Sequence, residues 1–331
     1  MANRARMDGH ATTALTPTLP AGDSRRRFAR LAWGLLGYTL LVILFGAVVR
    51  ITGSGAGCGQ HWPSCNGELL QLPQTLKTGI EYSHRATSGL SVIAIIALLV
   101  GAFRLYPSGH AVRRAAGLAS LMILVEALIG ALLVKLRLVE HDASYGRIVV
   151  LPLHLISTAL LTAALSWCAF FANVGTPSVQ RLPGSVRALL LFAGLGILLV
   201  STTGAVTALG DTVYPAQASG FAARLQEDQG ENANLLQRMR GIHPFLAVAV
   251  AAYVAYAAAL LSGFRGSREV RRASLVLALC VSLQVLAGVL NVWLSAPGPM
   301  QVVHLLLANL TWISLIVLAA AARQADAPSA I

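Results

Sequence analysis

Apolar residues run along the chain in long blocks, and polar residues collect in short segments between them. Eight blocks stand out, at about 31–49, 83–103, 115–136, 148–171, 187–208, 242–262, 273–294 and 300–320. None alternates with period two, as the strands of a membrane β-barrel do. A helix of roughly 20 residues crosses a hydrocarbon core about 30 Å thick. The pattern therefore predicts an all-α polytopic membrane protein with eight transmembrane helices. The first block resembles a secretory signal in length, but no small-residue cleavage site precedes the next polar loop, and seven further blocks follow.

Composition agrees. Of 331 residues, 56% are apolar and 11% charged, with mean hydropathy +0.68, against about 25% charged in a soluble domain. A net charge of +12 raises nucleic acid as a partner, but the distribution of the charge answers otherwise. With the N-terminus inside, sixteen of the 25 basic residues fall in inner segments, among them Arg25, Arg26, Arg27, Arg30, Arg113, Arg114, Arg271 and Arg272. That is the positive-inside bias of a plasma-membrane protein with both termini cytoplasmic. The partner is the bilayer, not nucleic acid. Residues 1–30, rich at first in Thr, Pro, Ala and Gly, read as a disordered cytoplasmic arm.

The blocks repeat. "GAVVRITGSG" begins at Gly46 and "GAVTALGD" at Gly204, and "EALIGALLV" begins at Glu126 and "QVLAGVLNV" at Gln284, both at an offset of 158. His84 and His243 are offset by 159, and His154 and His304 by 150. The chain thus divides into two pseudo-symmetric four-helix bundles, 31–172 and 187–321, joined by a cytoplasmic linker at 173–186 and followed by a tail at 322–331. Since four is even, both enter the membrane in the same direction, related by an axis along its normal.

His84, His154, His243 and His304 each fall near the start of an even-numbered span, at the outer face and about one turn into the membrane. A single intramembrane histidine is often just hydrogen-bonded to a neighbouring helix. Four at matched positions point to function, because ionisable groups inside membranes are costly. Zinc needs three or four ligands converging on one point, whereas these histidines pair off, one pair per unit. Two imidazoles with a flat macrocycle between them describe bis-histidine heme ligation in a bundle core. Ser88, Gly89, Ser157 and Thr158, with Ala247 and Ala308 in the second unit, leave room for such a ring.

The units differ next to these histidines. Glu81 stands three residues before His84, on the same helix face, and Arg240 three before His243. A guanidinium near the surface can hold a heme propionate by a bidentate bond. A carboxylate can instead accept a proton or stabilise a forming cation. This asymmetry suggests that one unit keeps a cofactor and the other processes a substrate, although Arg85 can also serve propionates in the first. "CGQHWPSC" places Cys58 and Cys65 in the first outer loop, facing an oxidising compartment where thiols pair. A structural staple and a redox relay or substrate lid are both open there. Cys168 and Cys280 read as core residues. Glu126 sits mid-span with Gln284 as its repeat mate, reading as an acid bonded across helices or to Gln284 itself. Within 209–240, Leu225, Leu235, Leu236 and Met239 permit a short interfacial helix over the second site.

These motifs together resemble the heme A synthase family, membrane enzymes that convert heme O to heme A for terminal oxidases. "GAVVRITGSGAGC", "HWPSCNG", "EYSHR", "LPLHL" and "QVLAGVLNVWLSAPGPMQVVHLLLANLTW" carry the resemblance, which extends over all eight spans. It implies oxidation of the C8 methyl of heme O to a formyl group through hydroxylated intermediates. Glu81, His84 and His154 would form the substrate site, and His243 and His304 would be axial ligands to the iron of a bound heme b. Cys58 and Cys65 would be the family's outer-loop pair. Candidate partners are heme O synthase, a membrane or soluble electron donor and a second copy of the chain. The chain departs from the family in having no cysteine pair in 209–240, and in Glu126, where Gln is expected. The rival readings are a diheme b-type, quinone-linked electron-transfer protein, which would not need Glu81, and a transporter, which the repeat alone supports.

Overall fold

The computed structural model describes residues 22–69, 73–174, 182–217, 220–264 and 267–324. Among them lie nine helices: α1 (Gly22–Ile51), α2 (Leu76–Leu105), α3 (Ala111–Lys135), α4 (Tyr145–Val174), α5 (Gly184–Val213), α6 (Phe221–Gln229), α7 (Leu235–Phe264), α8 (Arg268–Trp293) and α9 (Gly298–Arg323). All but α6 are long and apolar enough to cross a membrane. The protein is an all-α, multi-pass membrane protein, as the hydropathy pattern predicts.

The helices outrun the apolar blocks. α1 starts at Gly22, so the expected disordered arm is helical from there, and only residues 1–21 of it lie outside the described residues. The cause is packing: Phe28 and Ala29 are buried, and the Phe28 ring meets Tyr106 edge-on at 5.4 Å. α2 starts at Leu76, where Thr75 caps it by accepting the Thr78 N–H at 3.2 Å. α7 starts at Leu235 behind a reciprocal capping box. Asn234 Oδ1 accepts the Gln237 N–H at 3.1 Å and Gln237 Oε1 accepts the Asn234 N–H at 3.0 Å. That box corrects the reading of 209–240. Leu235, Leu236 and Met239 belong to α7, and only Leu225 lies on the short α6. Of the expected linker and tail, residues 175–181 and 325–331 lie outside the described residues.

α1 packs on α2 and α4, α2 on α3, and α3 on α4, so these four close a ring. α5 packs on α7 and α9, α7 on α8, and α8 on α9, closing another. The rings meet where α4 touches α5 and α9, and where α1 touches α9. The seams are built from small buried residues such as Ala116, Ala119, Ser120, Ala169, Ala257 and Ala258, which let helix backbones approach closely in lipid. Large side chains such as Leu128, Phe192 and Val289 point outward, as the solvent of a membrane helix demands. Cys168 is fully buried in the first ring, and Cys280 lies 3.5 Å from the Ser314 hydroxyl in the second.

Candidate functional site

α2 and α4 are opposite corners of the first ring, and α7 and α9 of the second. Each corner carries one of the four histidines. His84 and His154 thus stand on opposite helices of one ring, and His243 and His304 on opposite helices of the other, two histidines to a ring. Because the helices begin before the apolar blocks do, the histidines stand well inside the helix starts. His84 is eight residues from the start of α2 and His243 eight from the start of α7, about two turns or roughly 12 Å at 1.5 Å per residue.

Three imidazoles are seated on glycine. A Cβ placed on Gly46 would lie 3.2 Å from His84 Cε1, on Gly204 3.0 Å from His243 Cε1, and on Gly288 3.1 Å from His304 Cε1. Gly46 and Gly204 are repeat mates, so the first and second rings use the same seat. This function of the repeated "GAV" motif escaped the sequence reading, though its signal was there: a glycine recurring at the repeat offset on the helix that faces the histidine. Thr203 adds a fixed partner, with its hydroxyl 3.0 Å from His243 Nδ1.

The first ring's mouth is closed by the Cys58–Cys65 loop. The two cysteines are buried and joined as a disulfide, with Cα atoms 4.4 Å apart. Gly57 brings this loop against α2 so closely that a Cβ there would lie 2.7 Å from the Lys77 carbonyl oxygen. Glu81 and Arg85 hold the loop down. The Cys58 N–H donates to Glu81 Oε2 at 2.8 Å, and Arg85 donates to the carbonyls of His61 at 2.6 Å and Ser64 at 2.7 Å. Arg85 also pairs with Glu81 Oε1 through Nε at 3.0 Å and through a second guanidinium nitrogen. Glu81 is 3% exposed. The second ring's mouth is closed by α6, and Arg240 holds it. Its Nε and one terminal nitrogen donate to Asp228 of α6 at 2.9 and 2.5 Å, and its other donates to the Tyr214 carbonyl at 2.8 Å. Arg224 of α6 reaches the Val292 carbonyl and the Ser295 hydroxyl.

Glu126 does face across helices, toward α4. Its carboxylate accepts from Ser157 and, at 2.9 Å, from Thr158, and lies 3.0 Å from His154 Nδ1, without N–H alignment on the oxygen. Gln284 faces His304 instead, its Nε2 3.3 Å from the ring. Each therefore serves the histidine of its own half. Ser157 and Thr158, expected to make room, also hold this acid. A Cβ on Gly89 meets nothing within 4 Å, so that position is open.

The donor set fits a heme in each ring. Each ring carries its two histidines on opposite helices, three of the four imidazoles lie against glycine, and the buried Nδ1 atoms of His84 and His304 have no protein partner. Among the described residues there is no cluster of three or more metal-ligating side chains of the kind zinc needs.

Fold and site define a multi-pass helical membrane protein with two half-buried histidines in each of its two rings. The chain belongs to the COX15-CtaA family, described as cytochrome oxidase assembly protein, whose model matches residues 29–316. It is 43% identical over 301 residues to the "Protoheme IX farnesyltransferase" of a Thermus thermophilus strain, a match covering 91% of this chain and 49% of that protein. The chain thus spans about half the length of the curated relative it matches so extensively. It is also 40% identical over 92 residues to the "Heme A synthase" of a Bacillus cereus strain, covering 28% of this chain and 30% of that one.

Proposed function

We propose that the chain is a heme A synthase, an oxidoreductase that converts the C8 methyl of heme O to a formyl group through hydroxylated intermediates. The observation that carries this reading is the two histidines on opposite helices of each four-helix ring, three of the four seated on glycine, in a chain from a cytochrome oxidase assembly family. In this reading the first ring receives heme O between His84 and His154, and the second holds heme b between His243 and His304. A heme b held there supplies one-electron transfer. Glu81, three residues from His84, is the carboxylate that stabilises charge developing at the methyl carbon or accepts its proton. The loop and Arg85 fix its position. Arg85 and Arg240 would be the cations offered to the propionates of hemes held by these histidines.

The two rings are proposed as pseudo-symmetric bundles about an axis along the membrane normal. Packing pairs match across the repeat: α1 on α4 with α5 on α9, and α1 on α9 with α5 on α4. Arg50 donates to the carbonyl of Ala208, its own repeat mate at an offset of 158, as residues beside such an axis do. The charge bias supports a plasma-membrane location with both termini cytoplasmic. The Thermus relative's name, given to a protein about twice as long, joins farnesyl transfer on protoheme IX to a region like this one. That supports heme O synthase as the partner that supplies the substrate.

Pigment extraction and chromatography test the proposal. Membranes carrying the wild-type chain together with a source of heme O should yield heme A. The Glu81→Gln variant should retain heme b and yield none, and His243→Ala or His304→Ala should lower the heme b content of the purified chain. Normal heme A from Glu81→Gln removes the role given to that carboxylate. Two hemes b in wild type, with no heme A formed, favours the diheme electron carrier instead.

A further inference from the structure

A carboxylate in the middle of a membrane helix is expensive and is rarely kept without a use. Glu126 has one that the proposed reaction does not yet include. Its partners, Ser157, Thr158 and His154, all lie on one turn of α4. Both hydroxyls are also within reach of the His154 carbonyl, at 3.0 and 2.8 Å. Each has a single proton, so it bridges the acid and the backbone of the histidine but donates to one at a time. The result is one polar cluster built around His154.

The second half lacks this cluster. Gln284 holds the Nε2 side of His304, and both His304 Nδ1 and Gln284 Oε1 are buried without a partner. His304 consequently lies over Gly288, at 3.1 Å from where a Cβ would stand. The repeat mate of Gly288 is Gly130, and nothing lies within 4 Å of its Cβ position. His154 is drawn to Glu126 rather than to the glycine seat. The two rings therefore differ in how one histidine of each pair is held, at matched positions in the repeat.

We infer that Glu126 is a positioning residue for His154, engaging Nδ1 so that Nε2 is presented to the iron of a heme bound in the first half. This rests on the reading of the histidine pairs as heme ligands. A turn of the imidazole about its soft χ2 aligns Nδ1–H with the carboxylate already 3.0 Å away. An outer carboxylate of this kind fixes the tautomer and orientation of a ligating histidine and raises its basicity. His154 is then a stronger iron donor than His304, whose neighbour is a neutral amide. A stronger donor favours ferric iron, so the first-half heme has its midpoint potential lowered by Glu126.

The test uses the purified full chain titrated with hemin, followed by optical spectra and potentiometry. The first-half signal is the one lost in His84→Ala. Glu126→Leu should weaken hemin binding there by about 10–100-fold. Glu126→Gln, nearly isosteric, should keep the low-spin spectrum and move the first-half potential upward, leaving the second half unchanged. Wild-type affinity and potential in both Glu126 variants overturn the inference while leaving the ligand reading intact. A wild-type chain that takes up no hemin through His84 and His154 overturns the ligand reading, and the inference with it.

Discussion

At the scale of single residues, the glycines beside the histidines do more than permit close helix packing. At Gly204, an added methyl would stand 3.0 Å from the His243 ring, closer than carbon atoms normally approach, so the imidazole must move. The ring is also tied to Thr203, the neighbouring residue on α5, at 3.0 Å, so moving away strains that contact. Overpacking of this kind costs about 1–3 kcal/mol, and here the strain falls on a proposed iron ligand. Gly204→Ala should therefore lower heme b retention in the purified chain, read as the heme-to-protein ratio. Gly130→Ala is the matched control, since its Cβ position is open. That change should leave heme content alone and stabilise the helix by about 0.5–1 kcal/mol, the usual gain on replacing a mid-helix glycine. Equal heme loss in both variants would remove the seat argument. The same scale adds a second task for Glu81 and Arg240, since both also act as latches. Glu81 and Arg85 hold the disulfide loop, and Arg240 holds α6 through Asp228. The inverted sign follows from what the covering segment offers: backbone N–H and carbonyl groups in one half, a carboxylate in the other. A further asymmetry between the halves lies at Glu126 and Gln284.

At the scale of elements, the eight spans were legible because each contains an apolar window long enough to cross the bilayer. Their ends were not, because the first turns of α2 and α7 are polar and hydropathy cannot distinguish a capped polar turn from a loop. Thr75 and Asn234 are recognisable caps by type, yet whether each is used depends on the chain that precedes it. The four histidines were legible through the repeat, which needs only spacing. Their neighbours were not, since the approach of Glu126 to His154 and of Arg85 to the loop carbonyls depends on distances between helices. The boundary of α6 shows the difference most clearly. Leucine spacing alone joined Leu225 to Leu235, while Gly230 and the capping box at Asn234 separate them. As a separate element of nine residues, α6 is too short to be stable by itself and depends on its anchors. The Arg240–Asp228 pair is mostly buried, with side chains 11% and 4% exposed. Removing one partner of such a pair costs about 3–5 kcal/mol. Asp228→Asn should thus raise amide hydrogen exchange across Phe221–Gln229 by roughly 100-fold or more, with α2 and α3 unchanged. Unaltered protection of α6 in that variant would show that its other anchors, Arg224, Glu227 and Gln229, suffice.

At the scale of the whole molecule, the two halves are joined by more than apolar seams. Arg50, near the end of α1, donates to the Ala208 carbonyl at 2.9 Å and the Thr212 hydroxyl at 2.8 Å on α5, and to Gln301 Oε1 at 2.7 Å on α9. It is in electrostatic range of Asp211, which in turn lies 3.4 Å from Arg240. A line of charges therefore runs from the first half through Arg50, Asp211 and Arg240 to Asp228 on the cover of the second. It passes beside a cavity of about 320 Å³ between the halves, lined in part by Lys77, Glu140, Asp211 and Gln301. Lipid-filled helix seams have no hydrophobic drive to close them, so a directional joint of this kind carries weight out of proportion to its size. Hydrogen bonds from a charged donor contribute about 1.5–3 kcal/mol each, and they are not additive. Arg50→Ala removes all three and leaves Asp211 with one fewer positive neighbour. Lysine does not substitute, because a single ammonium cannot span acceptors on two helices with the geometry of a planar guanidinium. In scanning calorimetry of the purified protein, wild type should unfold in one transition. Arg50→Ala and Arg50→Lys should each lower its temperature and split it, the second half melting first as the link through Asp211 to α6 loosens. A single unshifted transition in Arg50→Ala would mean that the seams of α4 with α5 and α9 and of α1 with α9, including the Trp312 indole donating to the Ala159 carbonyl at 2.8 Å, hold the halves together without Arg50.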